Sequence, residues 1–130
     1  MSNRSIAEEW ISMAKKNLET AELLLNVHHY TDVIAIEIHQ TIEKSVKALF
    51  AFNGTPVPRI HYIPKLMDYA ANFVDISDID EKALFIINDY YLNARYPGPK
   101  YFLPSEDEIS QNLRLAKHIL NSIQAFIDHH

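Results

Sequence analysis

The residues best suited to chemistry lie in a short basic and aromatic segment, NARYPGPKYF, at positions 93–102. Arg95 and Lys100 carry its charges, and Tyr96 and Tyr101 offer flat ring faces. An arginine can bind a phosphate or carboxylate through two parallel hydrogen bonds, and a tyrosine ring can stack on a nucleobase. The same segment would also make a stiff corner, in which Arg95 complements the last carbonyl groups of the preceding helix and Tyr96 packs on the protein. Both interpretations stay open at this point.

A second polar group is predicted to follow one face of a single helix. Gln40, Glu43, Lys44 and Lys47 are three or four residues apart, and Glu43 and Lys47 have the favourable order for an ion pair at i and i+4. This pattern is typical of a solvated helix surface with a salt bridge. It also fits a polar strip that faces a cleft or a partner.

Two histidines accompany this polar group. His39 precedes Glu43 by four residues, so the two can share a face, and His61 comes just before a predicted helix start. A metal site would need a third converging ligand, which the spacing does not supply. We therefore expect His61 to hydrogen-bond the backbone of its loop or to cap the short helix that follows.

The sequence also lacks the motifs of nucleophilic or cofactor chemistry. The chain has no cysteine, no G-x-S-x-G motif, and two glycines, which cannot form a glycine-rich phosphate loop. We predict neither a metal ion nor another cofactor. The net charge of −5 argues against a broad electrostatic grip on nucleic acid, and we predict no recognition of DNA sequence.

Composition places the chain in one domain, residues 1–130, outside any membrane. Hydrophobic residues make up 48% of the 130 positions, which is enough for one core. No apolar run is long enough to span a bilayer, and the first ten residues lack the apolar core of an export signal. Without cysteines, the chain fits a reducing compartment, and we expect it in the cytoplasm.

Apolar residues recur at helical spacing along nearly the whole chain, and so few glycines disfavour a turn-rich β fold. The first helix is predicted over about residues 3–27. The second begins with Thr31 as its N-cap and ends before Gly54, which suits the left-handed position that closes a helix. A short helix has Pro64 in its first turn and is expected to turn Phe73 inward.

Two further helices complete the predicted architecture. Ser77 or Asp78 is expected to cap the fourth helix, which must stop before Pro97. Ser105 and Glu108 form a predicted capping box at the start of the last helix. Four main helices and one short helix with short links predict an all-α, antiparallel up-and-down helical bundle.

Three segments, in this order and spacing, resemble a known family. They are HQTIEKSVKALFAFNG at residues 39–54, HYIPKL at 61–66 and ARYPG at 94–98, preceded by a helix that carries Trp10. Together they resemble the HEPN family of small helical domains, over almost the whole chain. The resemblance implies a helical bundle that pairs as a homodimer. It also implies a frequent partner, a minimal nucleotidyltransferase, in two-component modules often of toxin–antitoxin type.

The same resemblance raises the question of ribonuclease activity. Nuclease members of the family carry an arginine followed, after four to six residues, by a histidine. Here no arginine has a histidine in that window, and after Arg95 it holds Lys100, Tyr101 and Phe102. Because lysine and tyrosine ordinarily titrate near pH 10, they are poor substitutes in proton transfer at neutral pH.

The resemblance and the residues together predict a non-catalytic HEPN-like module. We expect it to form a homodimer and to bind a minimal nucleotidyltransferase, a nucleotide or RNA. The expected contacts are Arg95, Tyr96 and the helix face from Gln40 to Lys44. Two alternatives stay open: a metal-independent ribonuclease toxin with a divergent active site, and a structural dimer without a ligand.

Overall fold

The computed structural model of the chain describes residues 2–98 and 103–130 and has five helices. They are α1 (Asn3–Asn26), α2 (Thr31–Phe52), α3 (Ile63–Ala70), α4 (Glu81–Asn93) and α5 (Glu106–His129). No strand occurs within the described residues. The predicted all-α antiparallel bundle of four main helices and one short helix is confirmed. None of the helices in this part of the chain is long and apolar enough to cross a membrane.

Helix α2 is the centre of the bundle and packs against each of the other four helices. Helices α1 and α5 also pack on each other, whereas α3 and α4 chiefly contact α2 and one another. The bundle therefore has a three-helix layer made of α1, α2 and α5. The α3–α4 pair covers the remaining side of α2.

The core is built from apolar stripes that meet along α2. The buried residues of α1 are spaced alternately by four and three, and the alanines among them allow the α1 and α2 backbones to approach closely. Fully buried isoleucines of α2 pack in the same core as those of α5. These residues are Ala7, Ile11, Ala14, Leu18 and Ala21 on α1; Ile34, Ile38 and Ile42 on α2; and Ile109, Ile119 and Ile123 on α5.

Several helix ends follow from local sequence as predicted. Gly54 adopts the left-handed conformation just after α2, with φ of 70°. The Ser105 hydroxyl accepts a hydrogen bond from the Glu108 N–H at the start of α5. The capping box is nevertheless half formed, because the Glu108 carboxylate accepts a hydrogen bond from the Tyr90 hydroxyl of α4.

Two predicted N-caps are wrong. Thr31 is the first residue of α2, and its hydroxyl donates to the Pro104 carbonyl at 2.6 Å, which ties the start of α2 to the start of α5. Asp80 caps α4 by accepting from the Lys82 N–H at 2.9 Å. Ser77 cannot serve there because its N–H and hydroxyl both donate to Asp75 in the preceding turn.

Phe73 also differs from the prediction. Helix α3 ends at Ala70, so the helical spacing that would have turned Phe73 inward does not extend to it. Its ring is 37% exposed and meets the edges of other aromatic rings near the surface. It contributes to the rim of the bundle and not to the core.

Candidate functional site

The site begins with an ion pair buried in the middle of α2. The Lys47 Nζ atom lies 2.9 Å from Glu43 Oε2, and each residue is 5% exposed. The predicted i,i+4 pair is present, but its interpretation as a solvated surface salt bridge is wrong. Because α2 is covered on all sides, a polar face of this helix must lie inside the protein. Buried charges of this kind need good partners, since removing either one leaves the other uncompensated.

His61 supplies the second partner of the buried carboxylate. It lies in the link between α2 and α3, and its Nδ1 atom is 2.9 Å from Glu43 Oε1. Burial alone would raise the pKa of Glu43, but hydrogen bonds from Lys47 and His61 outweigh burial and hold that pKa below its ordinary value. Glu43 is therefore ionised near neutral pH. It fixes the orientation of the His61 ring, which remains 46% exposed.

His39 supports this arrangement from below. Its ring is 1% exposed, and its Nε2–H group donates to the main-chain carbonyl of His61 at 3.1 Å. Burial lowers the pKa of His39 to about 4, so the ring is neutral at pH 7. With the proton on Nε2, Nδ1 is a bare acceptor. It lies 3.6 Å from Glu43 Oε1 and has no hydrogen-bond partner within the described residues.

The expectation that His61 would bond its own loop or cap α3 is thus wrong. The residue that hydrogen-bonds the loop backbone is His39. The side chain of His61 is directed to Glu43, and the cap position of α3 is Tyr62, which makes no side-chain capping bond. The link between α2 and α3 is therefore attached to α2 through both the main chain and the side chain of one residue.

Tyr91 of α4 joins this polar cluster to the predicted arginine. Its ring stacks on His61 with centroids 4.5 Å apart and an interplanar angle of 13°. The Arg95 guanidinium carbon lies 4.7 Å from the same ring's centroid, a cation–π contact. Sequence reasoning did not include Tyr91 among the site residues. Its position one helical turn before Arg95 was the signal that could have indicated it.

Arg95 has neither of the structural roles expected of a simple helix stop. Within residues 2–98 and 103–130, its side chain makes no hydrogen bond to a helix carbonyl and no ion pair with a carboxylate. Tyr96 does not pack on the bundle: it is 55% exposed, and its ring centroid is 5.9 Å from the Arg95 guanidinium carbon. Lys100 and Tyr101 lie outside the described residues.

The remaining predicted residues of the polar strip point elsewhere. Lys44 donates to the Asn17 side chain on α1 at 2.8 Å, away from the cluster. Gln40 is half-buried. The structure therefore brings together His39, Glu43, Lys47, His61 and Arg95, and the expected common face from Gln40 to Lys47 is divided between α1 and the α3–α4 side.

A cavity of about 420 Å³ opens beside the cluster. It lies between the His61 link and α4, and the Asn88 Oδ1 atom at its edge accepts from the Ile63 N–H at 2.9 Å. The amide nitrogen of Asn88 therefore carries the donors that remain. The cavity is lined by His61, Tyr62, Asn88, Asp89, Tyr91, Leu92 and Asn93.

A larger cavity, of about 620 Å³, lies between α3 and the start of α4. Its lining includes the carboxylates of Asp68, Asp75 and Glu81 and contains no lysine, arginine or histidine. An anion would be repelled there. The smaller cavity, next to Arg95 and His61, is the better candidate for a phosphate-bearing ligand.

The chemistry of the cluster is that of a positioned imidazole beside a fixed guanidinium. Glu43 holds His61 by Nδ1, which leaves Nε2 on the half-exposed side of the ring, and Arg95 offers planar donors to an anion. No group of three or more histidine, aspartate or glutamate side chains in the described chain is arranged to hold a metal ion. The arrangement can bind a phosphate and can exchange a proton with it.

Comparisons with known proteins agree with this architecture. A family model described as "HEPN domain" matches residues 7–126. "Putative toxin MJ1304" of Methanocaldococcus jannaschii is 28% identical, over 96% of this chain and 90% of that protein. The crystal structure of TT1696 from Thermus thermophilus has a TM-score of 0.74 and 26% identity, over 92% of this chain and 97% of that one. ST0689, described as an archaeal HEPN homologue, has a TM-score of 0.69 and 24% identity, over 93% and 97%.

Proposed function

Because this chain belongs to the HEPN domain family, we propose that it is a non-catalytic HEPN module that pairs as a homodimer and binds a nucleotide. The nucleotide is either free or held by a minimal nucleotidyltransferase partner. The name of the Methanocaldococcus relative supports a place in a cytoplasmic toxin–antitoxin system.

The observation that carries this proposal is the position of Arg95. Its guanidinium is fixed over Tyr91, next to the half-exposed His61, without a carboxylate partner among the described residues. A guanidinium that is exposed, oriented and unpaired matches the geometry of a phosphate group. The exposed ring of Tyr96 adds a stacking face for a base.

The overall charge favours a local site over a broad nucleic-acid surface. At −5 the chain repels a polyanion at long range, so binding depends on a few well-placed donors. Arg95 and His61 provide them at one point. This favours a mononucleotide or one nucleotide of a strand over a long duplex.

The test is a calorimetric titration of the full chain with ATP. Arg95→Ala should weaken binding by about tenfold to a hundredfold, because a charge-assisted contact to phosphate is lost. Arg59→Ala, in the exposed link between α2 and α3, is the matched control and should bind like the parent. Equal affinity of the Arg95→Ala and Arg59→Ala variants would contradict the proposal.

For the homodimer, we propose α4 as the contact face. The apolar stripes of α2 and α5 are used in the core, whereas Phe85, Ile86 and Leu92 of α4 remain exposed. Sedimentation of the parent should show a dimer, and Leu92→Asp should shift it to the monomer with its helical content unchanged. A parent that sediments as a monomer at high concentration would remove this part of the proposal.

A second candidate function is a metal-independent ribonuclease with a divergent site. It is favoured by one observation: a histidine oriented by a buried carboxylate lies beside Arg95, although it comes from another part of the chain than the usual motif. His61 would then transfer the proton and Arg95 would stabilise the phosphate. RNA cleavage in EDTA that is lost in both His61→Asn and Arg95→Ala would support it, and intact RNA at high protein concentration would exclude it.

A further inference from the structure

The cavity beside His61 contains a carboxylate that the nucleotide site has not yet used. Asp89 lies on the exposed side of α4 and lines this cavity together with His61 and Asn88. Within residues 2–98 and 103–130, its side chain has neither an ion pair nor a hydrogen bond. An unpaired carboxylate beside a phosphate site is unfavourable for the phosphate itself, so it must face a different part of any ligand that binds there.

The two ends of the cavity have opposite character. The end near Arg95 and His61 carries a cation and donors, and the buried His39 Nδ1 atom beneath it has no partner among the described residues. The other end carries the Asp89 carboxylate. Six residues separate Asp89 from Arg95, or roughly 9 Å along a helix axis, which is comparable to the reach of a mononucleotide from base edge to phosphate. A bound nucleotide is therefore oriented, with its phosphate at Arg95 and its base edge toward Asp89.

The bases differ in how they meet a carboxylate. Guanine presents two adjacent parallel donors, N1–H and the 2-amino group, which match the two carboxylate oxygens. Adenine and cytosine place an acceptor ring nitrogen beside their amino group, and uracil has one N–H between two carbonyl oxygens. A carboxylate therefore attracts guanine and opposes the other three bases, by the same donor and acceptor logic that distinguishes bases in duplexes.

We propose that Asp89 makes this site selective for guanine, so that the ligand is a guanosine phosphate, free or within a single strand of RNA. This inference rests on the proposed nucleotide-binding function and names its ligand. The exposed side chains of Tyr62 and Leu92, at the edge of the same cavity, provide surfaces for the faces of the base.

The test compares GMP, IMP, AMP, CMP and UMP by titration against the full chain. GMP should bind at least about tenfold more tightly than AMP, CMP or UMP, because two charge-assisted hydrogen bonds distinguish it. IMP lacks the 2-amino group and should have intermediate affinity. Asp89→Asn should abolish the preference for GMP, and Asp68→Asn, an exposed aspartate on α3 outside this cavity, should retain it.

The outcomes separate this inference from the proposed function. If all five nucleotides bind alike and Arg95→Ala weakens each of them, nucleotide binding stands and guanine selectivity is refuted. If none of them binds, both are refuted. A preference for GMP that survives in Asp89→Asn would also overturn the role of Asp89.

Two short RNA strands distinguish the source of the guanine. A uridine hexamer and the same hexamer with one internal guanosine are titrated beside GMP. Tighter binding of the guanosine-containing strand supports guanine selectivity with RNA as the source. Equal binding of both strands, with the preference for GMP intact, supports selectivity for the free nucleotide, and no preference in either format overturns the proposal.

Discussion

The buried ring of His39 should make the stability of this protein depend on pH in a defined window. In the unfolded chain a histidine has a pKa near 6.5, whereas burial lowers the pKa of folded His39 to about 4. Between these values the unfolded state binds a proton that the folded state refuses. The free energy of unfolding therefore decreases as the pH falls from 6.5 toward 4, and the penalty is absent above pH 6.5.

The size of the effect follows from the two pKa values. One pKa unit corresponds to about 1.36 kcal/mol, so the full difference amounts to about 3 kcal/mol. Between pH 7 and pH 4.5 about 2–3 kcal/mol of this is expressed. This range lies above the region where Glu43, whose pKa is lowered, begins to lose its charge: its contribution is complete above the ordinary carboxyl range and is lost at still lower pH.

Urea denaturation of the full chain at several pH values between about 7 and 4.5 measures this slope. His39→Gln keeps a donor for the His61 carbonyl but does not titrate, so its stability should lose most of the slope. His118→Gln, which removes an exposed imidazole from α5, controls for a general effect of losing a histidine. A parent whose stability is flat over this range, or a slope that persists in His39→Gln, would refute the reasoning.

Three further substitutions test the packing around the site and the helix ends. Glu43→Gln should lower the free energy of unfolding by about 3–5 kcal/mol, because Lys47 stays buried without its counter-charge; combining it with Lys47→Met should restore part of the loss in urea denaturation, and a single-variant cost below about 1 kcal/mol would contradict this. Gly54→Ala should cost about 1–2 kcal/mol and lower the melting temperature, since φ is 70° there and an added Cβ would lie 3.0 Å from an asparagine side chain; an unchanged melting temperature would argue against the left-handed conformation. Tyr90→Phe should cost about 1–3 kcal/mol by urea denaturation, because the buried Asn112 amide loses the hydroxyl to which it donates; a neutral result would mean that the amide finds another acceptor.

Much of the fold was predictable because the relevant signals are local. The apolar spacing that runs from Ile109 to Ile127 places its residues inside α5, as a helical period of 3.6 requires. Gly54 and Ser105 act as predicted, since a left-handed residue and a side-chain cap depend on a few neighbouring residues. Thr31 failed as a cap because a tertiary contact, to the Pro104 carbonyl, competed for its hydroxyl.

The site was less predictable because its parts meet only after folding. Spacing showed that Glu43 and Lys47 share a helix face, but it could not show that the following link would cover that face with His61. A search limited to histidines shortly after an arginine could not find one that arrives from an earlier segment. The contact of His61 and Arg95 with the same Tyr91 ring is a property of the α2–α4 packing.

The way α3 and α4 cover α2 has a consequence for hydrogen exchange. These two helices chiefly contact α2 and each other, whereas α1, α2 and α5 form a layer of their own, so the amides of α3 and α4 should exchange through a partial opening that leaves the three-helix layer folded. That opening would separate Tyr91 from His61, because they lie on the two sides that move apart. A ligand bound across this boundary would slow exchange in α3 and α4 while leaving the protection of α1 nearly unchanged, and the pattern of protected amides would then locate the ligand without a structure of the complex.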